Sequence, residues 1–152
     1  MKKILPQANT FATVIRVFMF AGIKTNYTKQ DIADFCQFDI RQADYYLGTC
    51  IYFGLFDSNG KLTVLGNDIL NNDRIHCRER LYELVIGDEL TGKIFAHMLL
   101  FPRKSLQDIR KYASALTRQR YADYSDAVID RRSSCIVGWC YEIFDYLQIK
   151  HS

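Results

Sequence analysis

The sequence predicts a mainly α-helical protein with a small β-wing: a winged helix-turn-helix followed by a second, helix-turn-helix-like helical subdomain. Three observations lead there. Proline occurs only twice in 152 residues, so long helices are permitted. Apolar residues recur at helical spacing along most of the chain. The strongest hairpin signal, Asp57-Ser58-Asn59-Gly60 between Leu55-Phe56 and Lys61-Leu62-Thr63, falls directly after the third helical segment.

The first predicted helix is "NTFATVIRVFMFAGI". Phe11, Val14, Ile15, Phe18 and Met19 share one face, and Gly22 closes it. "KTNY" reads as a short extended link suited to a strand. Thr28 is placed as an N-cap, with Asp31 three residues later as in a capping box. "KQDIADFC" is then a second helix burying Ile32, Phe35 and Cys36. After the turn "QFD", a third helix runs from about Ile40 to Phe53, with Gly54 as its C-cap. Ala43, Tyr46, Leu47, Cys50 and Phe53 form its buried face, and Arg41, Gln42, Tyr45 and Thr49 its outer face. Helix, short strand, helix, tight turn, helix and hairpin is the winged-helix order. In that fold the third helix enters the DNA major groove with its N-terminal residues leading.

"TVLGNDIL" opens another helix. Two more follow: "NDRIHCRERLYELVIG", with Ile75, Leu81, Leu84 and Val85 on one side, and "DELTGKIFAHMLLF", apolar enough for a central position and stopped by Pro102. The last third repeats the first in outline. "SLQDIRKYASAL" matches "YTKQDIADFCQF" in its Gln-Asp-Ile after a capping hydroxyl. "IDRRSSCIVGWCYEIFDYLQI" matches "FDIRQADYYLGTCIYFGLFDS" at an offset of 91 residues, where Asp39 meets Asp130, Arg41 meets Arg132 and Phe53 meets Phe144. A second helix-turn-helix is therefore expected, with Ser125 as an N-cap before its second helix. The expected division is residues 1–72 and 73–152, sharing one core.

Composition narrows the class. Apolar residues are 49% and charged residues 24%, which is a globular rather than a disordered balance. The five cysteines, Cys36, Cys50, Cys77, Cys135 and Cys140, are odd in number and without CxxC spacing. They read as reduced core residues of a cytoplasmic protein. "MKKILPQANTF" is too interrupted for a secretory signal, and the Phe11–Ile23 window contains Arg16 and is too short for a bilayer span. Net charge is only +3, but residues 1–30 hold five basic and no acidic groups, and residues 103–132 hold eight basic and four acidic. Two basic segments are one way to build a surface for a polyanion.

Two stretches carry a family resemblance. "DFCQFDIRQADYYLGTCIYFGLFDSNGKLTVLG" contains an FD-x-RQ-x-DYY block (Phe38, Asp39, Arg41, Gln42, Asp44, Tyr45, Tyr46), a GL pair (Gly54, Leu55) and an LT-x-x-G (Leu62, Thr63, Gly66). "IDRRSSCIVGWCYEIF" contains RR-x(6)-W (Arg131, Arg132, Trp139). In this order they resemble the winged-helix domain of type II restriction-modification proteins and related prokaryotic proteins. The resemblance implies a double-stranded DNA-binding module for target recognition, working beside a nuclease domain or subunit. No nuclease segment is evident in the chain.

The candidate DNA-binding residues are Lys29, Arg41, Gln42, Tyr45, Lys61, Arg131, Arg132, Ser133 and Ser134. Arg pairs bidentately with guanine and Gln with adenine; solvating a helix start is the other use open to Arg41 and Gln42. Tyr45 is the outward member of a tyrosine pair. Lys29 and Lys61 would hold phosphates, with Lys61 at the wing tip beside Asn59 and Gly60. Arg131 to Ser134 would open the second helix, where backbone N–H groups add to the side chains in gripping a phosphate; an intramolecular pair of Arg132 with Asp130 or Asp126 is the alternative. Lys104, Arg110, Lys111, Arg118 and Arg120 extend that patch.

No catalytic, cofactor or metal site is expected. His76, His97 and His151 lack zinc-ligand spacing, and no phosphate-binding GxxxxGK loop exists. Expected partners are double-stranded DNA, a nuclease domain or subunit, and a second copy of the chain, with no membrane. A protein–protein interaction or dimerisation module, favoured by 10 Tyr and 10 Phe, stays open beside DNA binding, as does a regulator of transcription.

Overall fold

Local capping chemistry sets most of the helix boundaries. The structure, a computed structural model, describes residues 3–151, and these form eight helices: α1 Phe11–Lys24, α2 Lys29–Cys36, α3 Ile40–Tyr52, α4 Val64–Leu70, α5 Arg74–Gly87, α6 Glu89–Leu100, α7 Leu106–Arg120 and α8 Asp126–Leu147. The Thr28 hydroxyl accepts the Asp31 N–H while the Asp31 carboxylate accepts the Thr28 N–H, a complete capping box. Asp39 caps α3, Thr63 caps α4, Ser105 caps α7 and Ser125 caps α8. Each satisfies an N–H that the helix itself leaves without an acceptor.

The chain divides into two compact units, Met1–Glu83 and Leu84–Ser152. The division falls inside α5, between Glu83 and Leu84. Cys77, Leu81 and Tyr82 are at 6% exposure or less, and the Tyr82 ring lies 5.9 Å from that of Phe11, so the part of α5 before the division belongs to the first core.

In the first unit, α1 packs against α2, α3 and α4, and α3 packs on α2. Between α2 and α3 the chain turns over three residues, Gln37 to Asp39, with Gln37 in the left-handed conformation at φ 58°. The Phe38 ring stacks on Tyr46 at 5.6 Å and so fixes the entry to α3.

Several sequence expectations need correction in this unit. The β-wing is absent: the described residues contain no strand pair beyond a single antiparallel bridge, Phe56 to Leu62. The reason is the shortness of the segment and the strength of its ends. The Asp57 carboxylate accepts the N–H groups of Asn59 and Lys61, closing a turn, and two residues later Thr63 begins capping α4. No length remains for a ladder. "KTNY" is likewise not a strand, because Thr25 takes φ 64° as it leaves α1. Helix α1 itself continues through Gly22 to Lys24. Thr49 is buried rather than outward, its hydroxyl satisfied by the Tyr45 carbonyl at 3.0 Å. Phe35 and Ile75, assigned to buried faces, are 45% and 63% exposed.

The second unit is built from α6, α7 and α8 packed on one another. Phe95 of α6 meets Phe144 of α8 edge-on at 5.0 Å, and Trp139 is fully buried in the same unit. Helix α6 is not enclosed: Leu100 and Phe101 at its end are 73% and 47% exposed.

The relation of α7 to α8 is fixed by two side-chain pairs. Arg118 pairs with Asp126, and the Ser114 hydroxyl donates to Asp130 at 2.6 Å. Stepping back one turn on α7 steps forward one turn on α8. The helices therefore run antiparallel, side by side, as an αα-hairpin. This replaces the expected second helix-turn-helix. The offset of 91 residues has no structural counterpart, since it matches Asp39, an N-cap, to Asp130, a residue inside α8.

Candidate nucleic-acid interface

The outer face of α3 is the stripe Arg41, Asp44, Tyr45, Gly48 and Ile51, each exposed or half-buried. Its spacing of i, i+3, i+4, i+7 and i+10 is the complement of the buried face. Arg41 sits in the first turn with its side chain 81% exposed, and its guanidinium lies 3.6 Å from the Asp39 carboxylate. Gln42 beside it is half-buried. Lys29, the first residue of α2, pairs with Asp44 at 2.6 Å.

Across from this stripe lies the turn that stands where a wing was expected. The Tyr27 hydroxyl donates to the Gly60 carbonyl at 2.5 Å. Burial pushes the Tyr27 phenol above its ordinary pKa, and the nearby Asp57 carboxylate pushes the same way. It remains a hydrogen-bond donor. Gly60 is required there twice over: it holds φ 81°, and a Cβ would sit 2.7 Å from the Tyr27 oxygen. The result is a groove of about 500 Å³ between α3 and the turn, with Leu47, Gly48 and Ile51 on its α3 side and Lys29 and Lys61 on its rim.

Lys29, Arg41, Gln42, Tyr45 and Lys61 thus share one unit and border one groove or the helix start beside it. The face is electrically balanced. Lys29 and Arg41 stand beside the Asp44 and Asp39 carboxylates, and the Asp57 carboxylate, four residues before Lys61, accepts that residue's backbone N–H.

Arg131, Arg132, Ser133 and Ser134 are a correction. They do not open a helix. Helix α8 begins at Asp126, so these are its sixth to ninth residues, and at that depth backbone N–H groups are taken by the helix's own hydrogen bonds. Ser133 is 1% exposed and its hydroxyl donates to the Asp130 carbonyl. The Arg132 guanidinium lies over the Tyr124 ring at 5.4 Å. Arg131 alone of the four is exposed, and Ser134 is half-buried.

Asp44, a member of the FD-x-RQ-x-DYY block, holds Lys29 in place. One residue of the α3 face, Gly48, escaped the sequence analysis. Gly48 interrupts a helix at a cost of about 1 kcal/mol relative to alanine, a signal that the backbone is kept accessible. No atom lies within 4 Å of where its Cβ would stand. Gly48→Ala is accordingly expected to stabilise the fold by about 0.5–1 kcal/mol, seen as a raised midpoint in urea denaturation. If a ligand lies along α3, the same variant binds it more weakly despite being more stable.

The resemblance motifs acquire physical roles. Asp39 caps, Phe38 and Tyr46 stack, and Leu55 is fully buried. The Thr63 hydroxyl donates to the carbonyls of Gly54 and Leu55 and accepts the Gly66 N–H. Most of the motif builds the scaffold, and Arg41, Gln42, Asp44 and Tyr45 are the members at the surface.

Among the described residues, no group of three or more His, Cys, Asp or Glu side chains is placed to hold a metal ion, and no helix is long and apolar enough to cross a membrane. Cys50, Cys77, Cys135 and Cys140 are buried thiols outside any disulfide, and Cys36 is half-buried. Burial pushes the thiols of Cys50 and Cys140 far up.

The molecule is in class a mainly helical protein, in whose first unit a three-residue turn joins α2 to α3. The chain belongs to the family described as Domain of unknown function (DUF7226), whose model matches residues 14–148. No curated protein and no solved structure gives a significant match.

Proposed function

We propose that the first unit binds double-stranded DNA through α3, as a target-recognition module of a prokaryotic restriction-modification system, with the chemistry supplied by a nuclease domain or subunit. One observation carries this: a three-residue turn leads from α2 into α3, the first turn of α3 holds Arg41 exposed and Gln42 half-buried, and Lys29 and Lys61 line the groove alongside α3. Arg41 and Gln42 are the base readers, bidentate to guanine and adenine respectively. Lys29 and Lys61 take phosphates, and Tyr45 and the bare backbone at Gly48 allow close approach to the groove wall. With no wing, Lys61 reaches the backbone from a tight turn rather than from a hairpin.

Because the three cations of this face are offset by three carboxylates, the electrostatic contribution to affinity is small, and base contacts must supply the selectivity. Selection from a random duplex library is the test. Wild type is expected to enrich a defined sequence, and Arg41→Ala/Gln42→Ala to lose discrimination at one or two positions, worth about 1–3 kcal/mol each. Absence of enrichment by the wild type at low salt sinks the proposal.

The same charge balance favours a second reading, an adaptor surface for a protein partner. Phe35 stacks on Phe20 at 4.3 Å with the Arg16 guanidinium over it, partly open to solvent. That kind of aromatic and arginine anchor is common at protein interfaces.

A further inference from the structure

We propose that the seam between α7 and α8 is a second surface for the phosphodiester backbone of duplex nucleic acid, independent of the α3 face. On α7, Gln107, Arg110, Lys111, Ser114 and Arg118 fall on one stripe at helical spacing, and all of them line a groove of about 440 Å³ whose other wall includes Asp130 and Ser134 of α8. Arg131, exposed, adjoins Asp130 and lies one turn before Ser134. From Arg110 to Arg118 is eight residues, or about 12 Å along the helix. Three to four phosphates on one strand occupy the same axial length.

Charge separates this surface from the α3 face. Four cations, Arg110, Lys111, Arg118 and Arg131, stand against two carboxylates, Asp126 and Asp130. Both carboxylates are engaged: Asp126 with Arg118 and Asp130 with the Ser114 hydroxyl. Among the described residues no ion pair holds Arg110, Lys111 or Arg131. These three are exposed on the hairpin, and Ser114 and Ser134 line the seam beside them. This is the arrangement that sequence-independent backbone binding requires: fixed spacing, surplus positive charge and small hydrogen-bonding side chains. The αα-hairpin brings Arg110, Lys111 and Arg118 along one groove with Ser134, a set that the expected helix start at Arg131 would not have assembled.

The test is a fluorescence-anisotropy titration of the full chain with a random-sequence 20-base-pair duplex at several salt concentrations. Neutralising three to four phosphates gives a slope of log K against log salt of about −3 for wild type. Arg110→Ala/Lys111→Ala is expected to make that slope shallower by about 2, equally for all sequences, with an unchanged melting curve because both side chains are exposed. Asp126→Asn, which frees Arg118, is expected to steepen it by about 1. Failure of the α3 proposal shows as lost or absent sequence selection and leaves these slopes standing. An unchanged slope in Arg110→Ala/Lys111→Ala overturns the seam. So does binding to phosphatidylserine vesicles that the double variant abolishes while duplex goes unbound.

Discussion

Gly66→Ala is expected to destabilise the first unit by about 3 kcal/mol, at the upper end for overpacking. The added Cβ would stand 2.2 Å from the Leu55 carbonyl oxygen and 2.8 Å from a Leu62 methyl. The leucine methyl can rotate away, but the carbonyl cannot. It already accepts the Thr63 N–H at 3.1 Å and the Thr63 hydroxyl at 3.1 Å, and Leu55 is fully buried. Relief requires moving the start of α4 off the end of α3, which opens the clamp that closes residues 55–63 into the turn. Urea denaturation followed by far-UV circular dichroism measures this. Gly48→Ala is the control: the same substitution, in a helix of the same unit, with the opposite sign expected. A Gly66→Ala protein as stable as wild type would show that α4 is not held against Leu55 in the manner described. The variant also bears on function, because Lys61 and Asn59 lie inside the clamped segment, so duplex selection should blur along with stability.

Trp139→Ala is expected to cost about 3–5 kcal/mol, the range for removing a large aromatic side chain from a core. Trp139 is completely buried near the middle of α8, in the second unit's core with Ile94, Ile109, Ile136, Ile143 and Phe144. An unfilled cavity there weakens the packing of the helix that carries half of the seam. A cost of that size is a large fraction of the total stability of a domain, so little of the variant is expected to be folded at 37 °C. Trp139→Phe, which refills part of the space, is expected to recover about half of the loss. Because Trp139 is the only tryptophan, its emission in the wild type reports on the second unit, and unfolding of the alanine variant is followed by circular dichroism instead. A loss below about 1 kcal/mol would mean that the site collapses around the deletion or is already hydrated.

Helix positions were legible in the sequence because their determinants are local. The Thr28 and Asp31 side chains satisfy each other's N–H groups three residues apart. Ser105 and Ser125 reach donors at the same distance. The buried stripe of α3 follows from its 3.6-residue period. So does the outward position of Arg41, which needs only a helix start and a known face.

What the sequence misplaced depended on partners distant in the chain. The residues of the Asn-Gly turn suit a hairpin. The outcome was decided by Thr63 reaching back to Gly54 and Leu55, and by Tyr27 reaching forward 33 residues to Gly60. Phe35 suits a core by composition, yet it stacks on Phe20 at the surface. Thr49 suits a surface, yet a carbonyl one turn earlier satisfies its hydroxyl and lets it be buried. Arg131 to Ser134 look like a helix start after an aspartate, but Ser125 had already capped α8.

The sequence by itself determined the helical class, most of the eight helices and the polar opening of α3, since periodicity and capping act within a few residues. Only the tertiary structure decided that the wing reduces to a clamped turn. It alone decided that α7 and α8 lie antiparallel, and that the basic residues of α7 gather along a seam with α8. Those features depend on which surfaces bury each other, and burial is a property of pairs of elements that no single segment encodes.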